Sequence, residues 1–233
     1  MLEPLFPVLH GAGIVLSPVQ QEMLAHYARL LYAWNTRMNL TNVPQEDAWR
    51  THFADSLLPL THTELFPQGA RLIDVGTGAG LPGLPLAIAR PDMQVVLLDA
   101  LKKRCTFLTE VCTTLNLPNV TVMHARAEDA AHGALRAGCD LAVARAVAQL
   151  RVLAEYLLPF ARVGGRVLCW KGPAAQDEAD QAQNALRTLG GQLERIVPIP
   201  VPDTEHQLVV IQKRRPTPGT YPRTAGTPVK KPL

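Results

Sequence analysis

Cysteine is scarce in this chain, and its placement argues against both a metal site and a disulfide framework. The four cysteines stand far apart in apolar segments, with no C-x-x-C pair and no histidine at ligand spacing, so we expect buried, reduced thiols. No run of about eighteen uncharged apolar residues is present, and no basic region followed by an apolar stretch opens the chain. We therefore expect a cytoplasmic protein without a bound metal ion. The cysteines are Cys105, Cys112, Cys139 and Cys169.

Acidic residues are missing from the last 22 residues, 212–233, which carry six of the 23 basic residues. The overall charge of +3 therefore belongs to this tail, and the rest of the chain has a small acidic excess. Five prolines keep the tail extended, because each fixes its own φ and restricts the residue before it. Two interpretations stay open: an arm that lies on a partner, or a poorly ordered, solubilising terminus.

The first seventy residues predict helices only. Ser17, Pro18 and Gln20 form a capping box with proline at the first helical position, and an apolar stripe then continues to about Trp34. A second amphipathic helix is predicted from about Gln45 to Leu58. No strand pattern appears before Arg71.

Beyond residue 70 the pattern alternates between short apolar strands and helices, which predicts a doubly wound α/β domain with a mostly parallel sheet. A last helix, roughly Ala174 to Leu189, ends at Gly190 and Gly191, and two final strands form an antiparallel hairpin. Most Rossmann-like class I methyltransferases close their sheet in this way, whereas dehydrogenases usually run the last strand parallel. The predicted strands are Arg71 to Val75, Gln94 to Leu98, Val120 to His124, Leu141 to Ala144, Arg166 to Trp170, Leu193 to Val201 and Gln207 to Gln212.

These patterns divide the chain into an N-terminal helical extension, 1–69, a cofactor-binding domain, 70–213, and a basic, proline-rich tail, 214–233. The length of 233 residues suffices for one main core.

The segment LIDVGTGAGLPG, 72–83, is the sharpest motif. A buried strand leads into glycines that let the backbone turn tightly and approach a ligand. Gly76, Gly78 and Gly80 give the G-x-G-x-G spacing of methyltransferases, but Gly78, Gly80 and Gly83 give the G-x-G-x-x-G spacing of dinucleotide enzymes. Glycine spacing alone does not choose between methyl transfer and hydride transfer.

Two acids refine this interpretation. Asp74, two residues before the first glycine, suits the ammonium group of a methionine moiety and would repel a pyrophosphate. Asp99, at the end of the second strand, is placed to accept hydrogen bonds from ribose hydroxyls in either enzyme class. Asp74 therefore favours S-adenosylmethionine over a nicotinamide cofactor, whereas Asp99 indicates only a ligand that contains adenosine.

Motifs along nearly the whole chain resemble the bacterial ribosomal small-subunit methyltransferase G family, also called glucose-inhibited division protein B. The motifs that carry the resemblance are Trp34-Asn35, Asn39-Leu40-Thr41, His52 to Leu57, Asp74 to Gly83, Leu97-Leu98-Asp99, Lys103-Arg104, Ala144 to Ala148, Lys171-Gly172, His206 to Val210, Tyr221-Pro222-Arg223 and Lys231-Pro232-Leu233.

The resemblance implies transfer of a methyl group from S-adenosylmethionine to N7 of one guanine of 16S ribosomal RNA, at position 527 in the 530 loop. It implies a substrate that is the RNA or the small ribosomal subunit, and we expect a monomer. The cofactor-binding residues, as implied by the resemblance and the motifs above, are Gly76, Gly78, Leu81, Asp99, Ala127, Glu128 and Arg145.

Within this set, Ala127 and Glu128 are expected beside the adenine, although Glu128 also suits the first turn of a helix. Arg145 follows an apolar strand and is expected at the transfer site, or in an ordinary salt bridge. Guanine N7 has a free lone pair, so no general base and no catalytic residue are expected. A noncatalytic RNA-binding or ribosome assembly factor, and a nicotinamide-dependent oxidoreductase, remain the alternative functions.

Overall fold

Seven strands form one sheet in the structure, a computed structural model that describes residues 1–145 and 148–233. Ala146 and Val147, part of the motif Ala144 to Ala148, lie outside the described residues. The strands are β1 (Arg71–Val75), β2 (Gln94–Asp99), β3 (Val120–His124), β4 (Cys139–Arg145), β5 (Ala161–Lys171), β6 (Gly191–Pro198) and β7 (Gln207–Lys213).

The strand order is β3-β2-β1-β4-β5-β7-β6. Strands β1 to β5 run parallel, and β7 pairs antiparallel with both β5 and β6. The predicted mostly parallel sheet with a C-terminal antiparallel hairpin is therefore confirmed. Parallel strands bring their carboxyl ends to one edge, which is where open α/β sheets bind ligands.

Helices cover both faces of this sheet. None of the helices in the described ranges is long and apolar enough to cross a membrane. They are α1 (Leu5–Gly11), α2 (Pro18–Asn35), α3 (Asp55–Leu57), α4 (Gly83–Ala89), α5 (Lys102–Thr114), α6 (Ala127–Ala130), α7 (Leu150–Leu157), α8 (Ala175–Gln181), α9 (Gln183–Leu189) and α10 (Thr227–Lys230).

Strand side chains alternate between the two faces, so each strand contributes to two apolar clusters. Leu72 packs in the cluster that contains α1, α2, α4 and α5, whereas its neighbour Ile73 packs with α7, α8 and α9. The N-terminal helices share the first cluster with Trp170, Leu208 and Val210 of the sheet. The N-terminal extension is thus packed on the sheet face beside the ligand-binding edge.

Helix α2 begins as the sequence predicts. The side chain of Ser17 accepts a hydrogen bond from the backbone N–H of Gln20, and the Gln20 side chain accepts one from the backbone N–H of Ser17. The Gln20 amide also donates to Ile88 O and Ala89 O at 2.9 and 3.0 Å, which satisfies carbonyls at the end of α4. Tyr27, buried in the same helix, donates its hydroxyl to Ala79 O at 2.5 Å. Helix α2 therefore packs against the glycine turn and is hydrogen-bonded to it through Tyr27.

The prediction of one α-helix from Gln45 to Leu58 is wrong. The segment consists of a 3₁₀ turn, Gln45–Asp47, then a π-helical turn, Trp49–Ala54, that runs into α3. Asp55 N donates to Arg50 O, five residues earlier. Such turns change the faces that side chains present and often occur at functional sites. The predicted helix from Ala174 to Leu189 is likewise divided, at Ala182, into α8 and α9.

The tail is packed against the protein rather than free. Lys213, the last residue of β7 just before the tail, is buried and donates to Leu158 O at 2.6 Å, and burial lowers the pKa of its ammonium to about 7. Arg223 holds Glu155 of α7, which is 0% exposed, through Nε at 2.9 Å and Nη2 at 2.6 Å. Four tail cations, Arg214, Arg215, Lys230 and Lys231, remain exposed.

We predict that Arg223→Ala lowers the free energy of unfolding by about 3 kcal/mol, because it leaves the buried Glu155 carboxylate without its cation and with the backbone N–H of residue 223 as its remaining donor among the described residues. The matched control is Arg162→Ala, which removes a more exposed partner of Asp140 and should lower it by less than about 1 kcal/mol. Urea unfolding measures both. If both variants lose the same free energy of unfolding, the buried Glu155 carboxylate does not need Arg223 of the tail as its partner.

Candidate active site

Two cavities adjoin at the carboxyl edge of the sheet. The first, which we call the glycine cavity, has a volume of about 430 Å³. It is lined by Leu40, His52, Gly76, Thr77, Gly78, Ala79, Leu81, Asp99, Ala100, Leu101, Arg104 and Arg145. The second, the histidine cavity, has a volume of about 440 Å³. It is lined by Thr51, His52, Asp55, Arg145, Trp170, Lys171, Gly172, Glu178 and His206. The two cavities share His52 and Arg145.

The glycine turn forms the floor of the glycine cavity. Gly76 and Gly78 have φ values of 69° and 60°, a region that favours glycine. Gly78 N donates to Asp99 Oδ2 at 2.9 Å, and Leu101 N donates to Asp99 Oδ1 at 2.8 Å. Because a carboxylate offers about four lone-pair positions, Asp99 can accept further hydrogen bonds from a ligand.

Asp74 is buried directly behind the glycine turn. Its Oδ2 atom accepts hydrogen bonds from Thr77 Oγ1 at 2.6 Å and from Gly83 N at 2.8 Å. A Cβ at position 83 would lie 2.8 Å from that same oxygen, so glycine is required there. The other oxygen, Oδ1, is buried and has no hydrogen-bond partner among the described residues. Burial raises the pKa of this carboxyl to about 6.

These features fit an S-adenosyl ligand. An unpartnered buried carboxylate oxygen needs a donor. Asp74 is 0% exposed and lines neither cavity, so a methionine ammonium group in the glycine cavity would reach this oxygen through water. A Cβ at Gly78 would meet only Gly76 O, at 3.9 Å, so the space beside this residue is open to a ligand. Asp99 stands at the end of the next strand, where an adenosine ribose is expected.

A network of charged and polar side chains lines the junction where the glycine cavity meets the histidine cavity. Arg145, at the end of β4, donates through Nη1 to Asp55 Oδ2 at 2.8 Å and to Thr51 O at 2.9 Å. The other carboxylate oxygen of Asp55 contacts Nδ1 of His206 at 2.8 Å. His52 Nε2 contacts Thr41 Oγ1 at 2.7 Å. Three distant parts of the chain thus build one wall.

The pKa values of the two histidines in this wall are shifted in opposite directions. Burial, with the nearby Arg145 guanidinium, lowers the pKa of His52 to about 4, so His52 is neutral at pH 7. The hydrogen bond with Asp55 raises the pKa of His206 above its ordinary value. The wall therefore contains a neutral imidazole, His52, which lines both cavities, and a more basic imidazole, His206, which lines the histidine cavity.

Five of the seven predicted cofactor-binding residues line the glycine cavity, namely Gly76, Gly78, Leu81, Asp99 and Arg145. In the described part of the chain, Ala127 and Glu128 line neither cavity. They begin α6 after β3, where Glu128 is buried and accepts a hydrogen bond from Gly226 N of the tail at 3.2 Å. Contact with adenine stays a prediction for these two residues.

Sequence reasoning assigned no role to several residues that build the site. His52 and Asp55 were only part of a family-like motif, although polar side chains within the apolar run His52 to Leu57 could have marked them. Asn35 is a further residue of the site that received no role. Its Oδ1 atom accepts hydrogen bonds from Leu40 N at 2.8 Å and from Thr41 N at 3.0 Å. It thereby fixes the loop that lines the glycine cavity.

Comparison with known proteins identifies the family of this chain. The family model described as rRNA small subunit methyltransferase G matches residues 20–206. The chain belongs to this family. It is 45% identical over 236 residues to "Ribosomal RNA small subunit methyltransferase G" of Leuconostoc citreum, with 100% of this chain and 99% of the relative covered.

A second relative bears the methyltransferase G name, and solved structures share the fold of this chain. The enzyme of that name from Alkaliphilus oremlandii is 45% identical, with 96% of this chain and 95% of the relative covered. A putative S-adenosylmethionine-dependent methyltransferase from Methanococcus maripaludis has a TM-score of 0.55 at 17% identity, covering 73% of this chain and 90% of that one. A 16S rRNA (adenine(1408)-N(1))-methyltransferase variant from Catenulisporales acidiphilia has a TM-score of 0.52 at 19% identity, covering 63% of this chain and 86% of that one. These structures share the class I methyltransferase fold.

For this methyltransferase G family member we predict that Asp55→Asn lowers the pKa of His206, because the carboxylate that favours the imidazolium is removed. Histidine titration by NMR measures the shift. Asp203→Asn is the control, since Asp203 pairs with Arg50 and is 82% exposed. An unchanged His206 pKa in Asp55→Asn would contradict the contact.

Proposed function

We propose that this chain transfers the methyl group of S-adenosylmethionine to N7 of guanine 527 in 16S ribosomal RNA. Its substrate is the RNA or the small ribosomal subunit, and it acts in the cytoplasm as a monomer. Family membership supports methyl transfer to small-subunit RNA. The N7 position and the 530 loop come from the resemblance of the site motifs to the family.

One observation supports the cofactor assignment: among the described residues, Oδ1 of buried Asp74, directly behind the glycine turn that lines the glycine cavity, has no hydrogen-bond partner. A buried oxygen without a donor is unfavourable by roughly 1–3 kcal/mol, and a cationic ligand group would remove that penalty. A pyrophosphate would add a second negative charge beside it. This favours S-adenosylmethionine over the nicotinamide cofactor of the alternative oxidoreductase.

The chemistry requires positioning more than proton transfer. The bound cofactor would supply an electrophilic methyl group on a positively charged sulfur. Guanine N7 has a lone pair and no proton to lose, so the protein needs no general base. Gly76 and Gly78 would admit the cofactor, Asp99 would orient its ribose, and the wall of His52 and Arg145 would exclude water. Effective concentration then supplies much of the acceleration.

The surfaces outside the domain 70–213 would hold the RNA. We infer that the N-terminal extension, 1–69, and the tail, 214–233, contact phosphates, and that Arg214, Arg215, Lys230 and Lys231 are the tail cations available for this. Contacts of this kind weaken steeply with salt. Arg223 and Lys213 already bind groups of the protein itself.

The proposed reaction predicts one labelled nucleotide. The protein is incubated with radiolabelled S-adenosylmethionine and small subunits that lack native modification, and the labelled position is mapped. N7-methylguanosine at position 527 is the expected product. Label elsewhere would refute the assigned position, whereas tight cofactor binding without label on either subunits or naked RNA would favour the noncatalytic assembly factor.

We also predict that Gly78→Val abolishes S-adenosylmethionine binding while the protein stays folded, because a branched side chain fills the open space beside the turn. Gly69→Val is the matched control. Gly69 has a φ of 67°, against 60° for Gly78, and also has open space around it, but it lies outside both cavities. Both variants carry strain of about 1–2 kcal/mol. Isothermal titration calorimetry measures the affinity of each variant for S-adenosylmethionine. Equal affinities in the two variants would contradict the assignment of the glycine cavity to this cofactor.

A further inference from the structure

We propose that the histidine cavity receives the target guanine base and that Glu178 recognises its N1–H and 2-amino groups. This inference rests on the proposed function and deepens it. The two cavities meet at His52 and Arg145, so a base in the histidine cavity turns one edge toward the glycine cavity. Its volume of about 440 Å³ is in the range of small-molecule sites.

The orientation of the base follows from its chemistry. N7 must face the glycine cavity to reach the methyl group. The Watson–Crick edge of guanine, with N1–H and the 2-amino group, then faces the opposite side of the histidine cavity. Trp170 and His206 also line this cavity, and aromatic side chains are the surfaces on which unstacked RNA bases pack.

Glu178 is the carboxylate suited to that edge. Its Oε2 atom accepts hydrogen bonds from Leu150 N and from Lys171 Nζ, both at 2.7 Å. Lys171 also donates to Ala148 O at 2.6 Å. Because the contacts of Glu178 with described residues end on Oε2, Oε1 is available to a ligand. The position of this carboxylate is thus fixed before any substrate binds.

A carboxylate there selects guanine and assists the reaction. Guanine offers two adjacent donors on its Watson–Crick edge, and Oε1 of Glu178 has two lone-pair positions to accept them, because Leu150 N and Lys171 Nζ already occupy Oε2. Adenine has no N1–H to donate. During transfer the N7 lone pair forms the new N–C bond, the S–C electron pair stays on sulfur, and the positive charge moves to the purine. A fixed negative charge at N1–H stabilises that developing charge.

The test uses small subunits reconstituted with inosine at the target position, since inosine keeps N7, O6 and N1–H but lacks the 2-amino group. For the unaltered protein, we expect the single-turnover rate to fall roughly 10- to 100-fold relative to guanosine, the loss expected for one hydrogen bond to a charged group. An equal rate on both substrates would overturn the proposal.

The second arm compares Glu178→Gln with the unaltered protein on the same two substrates. The variant is expected to be slower on guanosine and to lose most of the preference over inosine, with cofactor affinity unchanged. Any effect of inosine on RNA folding is common to both proteins and cancels in this ratio. A preference that survives intact in Glu178→Gln would mean that Glu178 has only a structural role.

Two further variants complete the design. Asp177→Asn removes the same charge from the adjacent, exposed position of α8 and should keep both rate and preference. Glu178→Asp retains a carboxylate and should retain part of the preference, which keeps the test decisive if Glu178→Gln fails to fold. Absence of N7-methylguanosine with the unaltered protein on guanosine subunits would instead refute the proposed function.

Discussion

The buried carboxylate of Asp55 is the constraint on which the site depends. A charge that is 1% exposed is tolerated only when it is paired and hydrogen-bonded. Arg145 and His206 satisfy its two oxygens, and Trp170 Nε1 donates to the backbone carbonyl of the same residue at 2.8 Å. The N-terminal extension, β4, β5 and the loop before β7 therefore cannot separate without exposing or unpairing this charge.

Much of the fold could be predicted from local patterns, because buried parallel strands appear as short apolar runs between turn residues. Strands β1 and β3 match their predicted bounds, and the glycine turn and the terminal hairpin were also predicted. The wall at the junction of the two cavities could not be predicted, since Asp55 contacts residues 90 and 151 positions away in the sequence. Nor does periodicity distinguish a π-helical turn from an α-helix over so short a segment.

The tail shows how composition and packing diverge. Six basic residues and five prolines indicated an extended cationic segment, yet Lys213 and Arg223 turn inward to acceptors such as Leu158 O and Glu155. A buried glutamate in α7 needs a partner, and no sequence pattern shows which cation supplies it. The cations that remain exposed are fewer, but their positions are fixed because the tail is anchored. In the structure the tail is therefore a packed segment rather than a free arm.

We infer from this network that Asp55 and Arg145 act as one unit where the two cavities meet. A double-mutant cycle with Asp55→Ala, Arg145→Ala and the double variant, measured as single-turnover methyl transfer at saturating cofactor, tests it directly. The effects of residues that act as a unit are strongly non-additive, so we predict that the double variant is about as slow as either single variant. If the two losses in rate multiply instead, the two residues act independently and the inference is wrong.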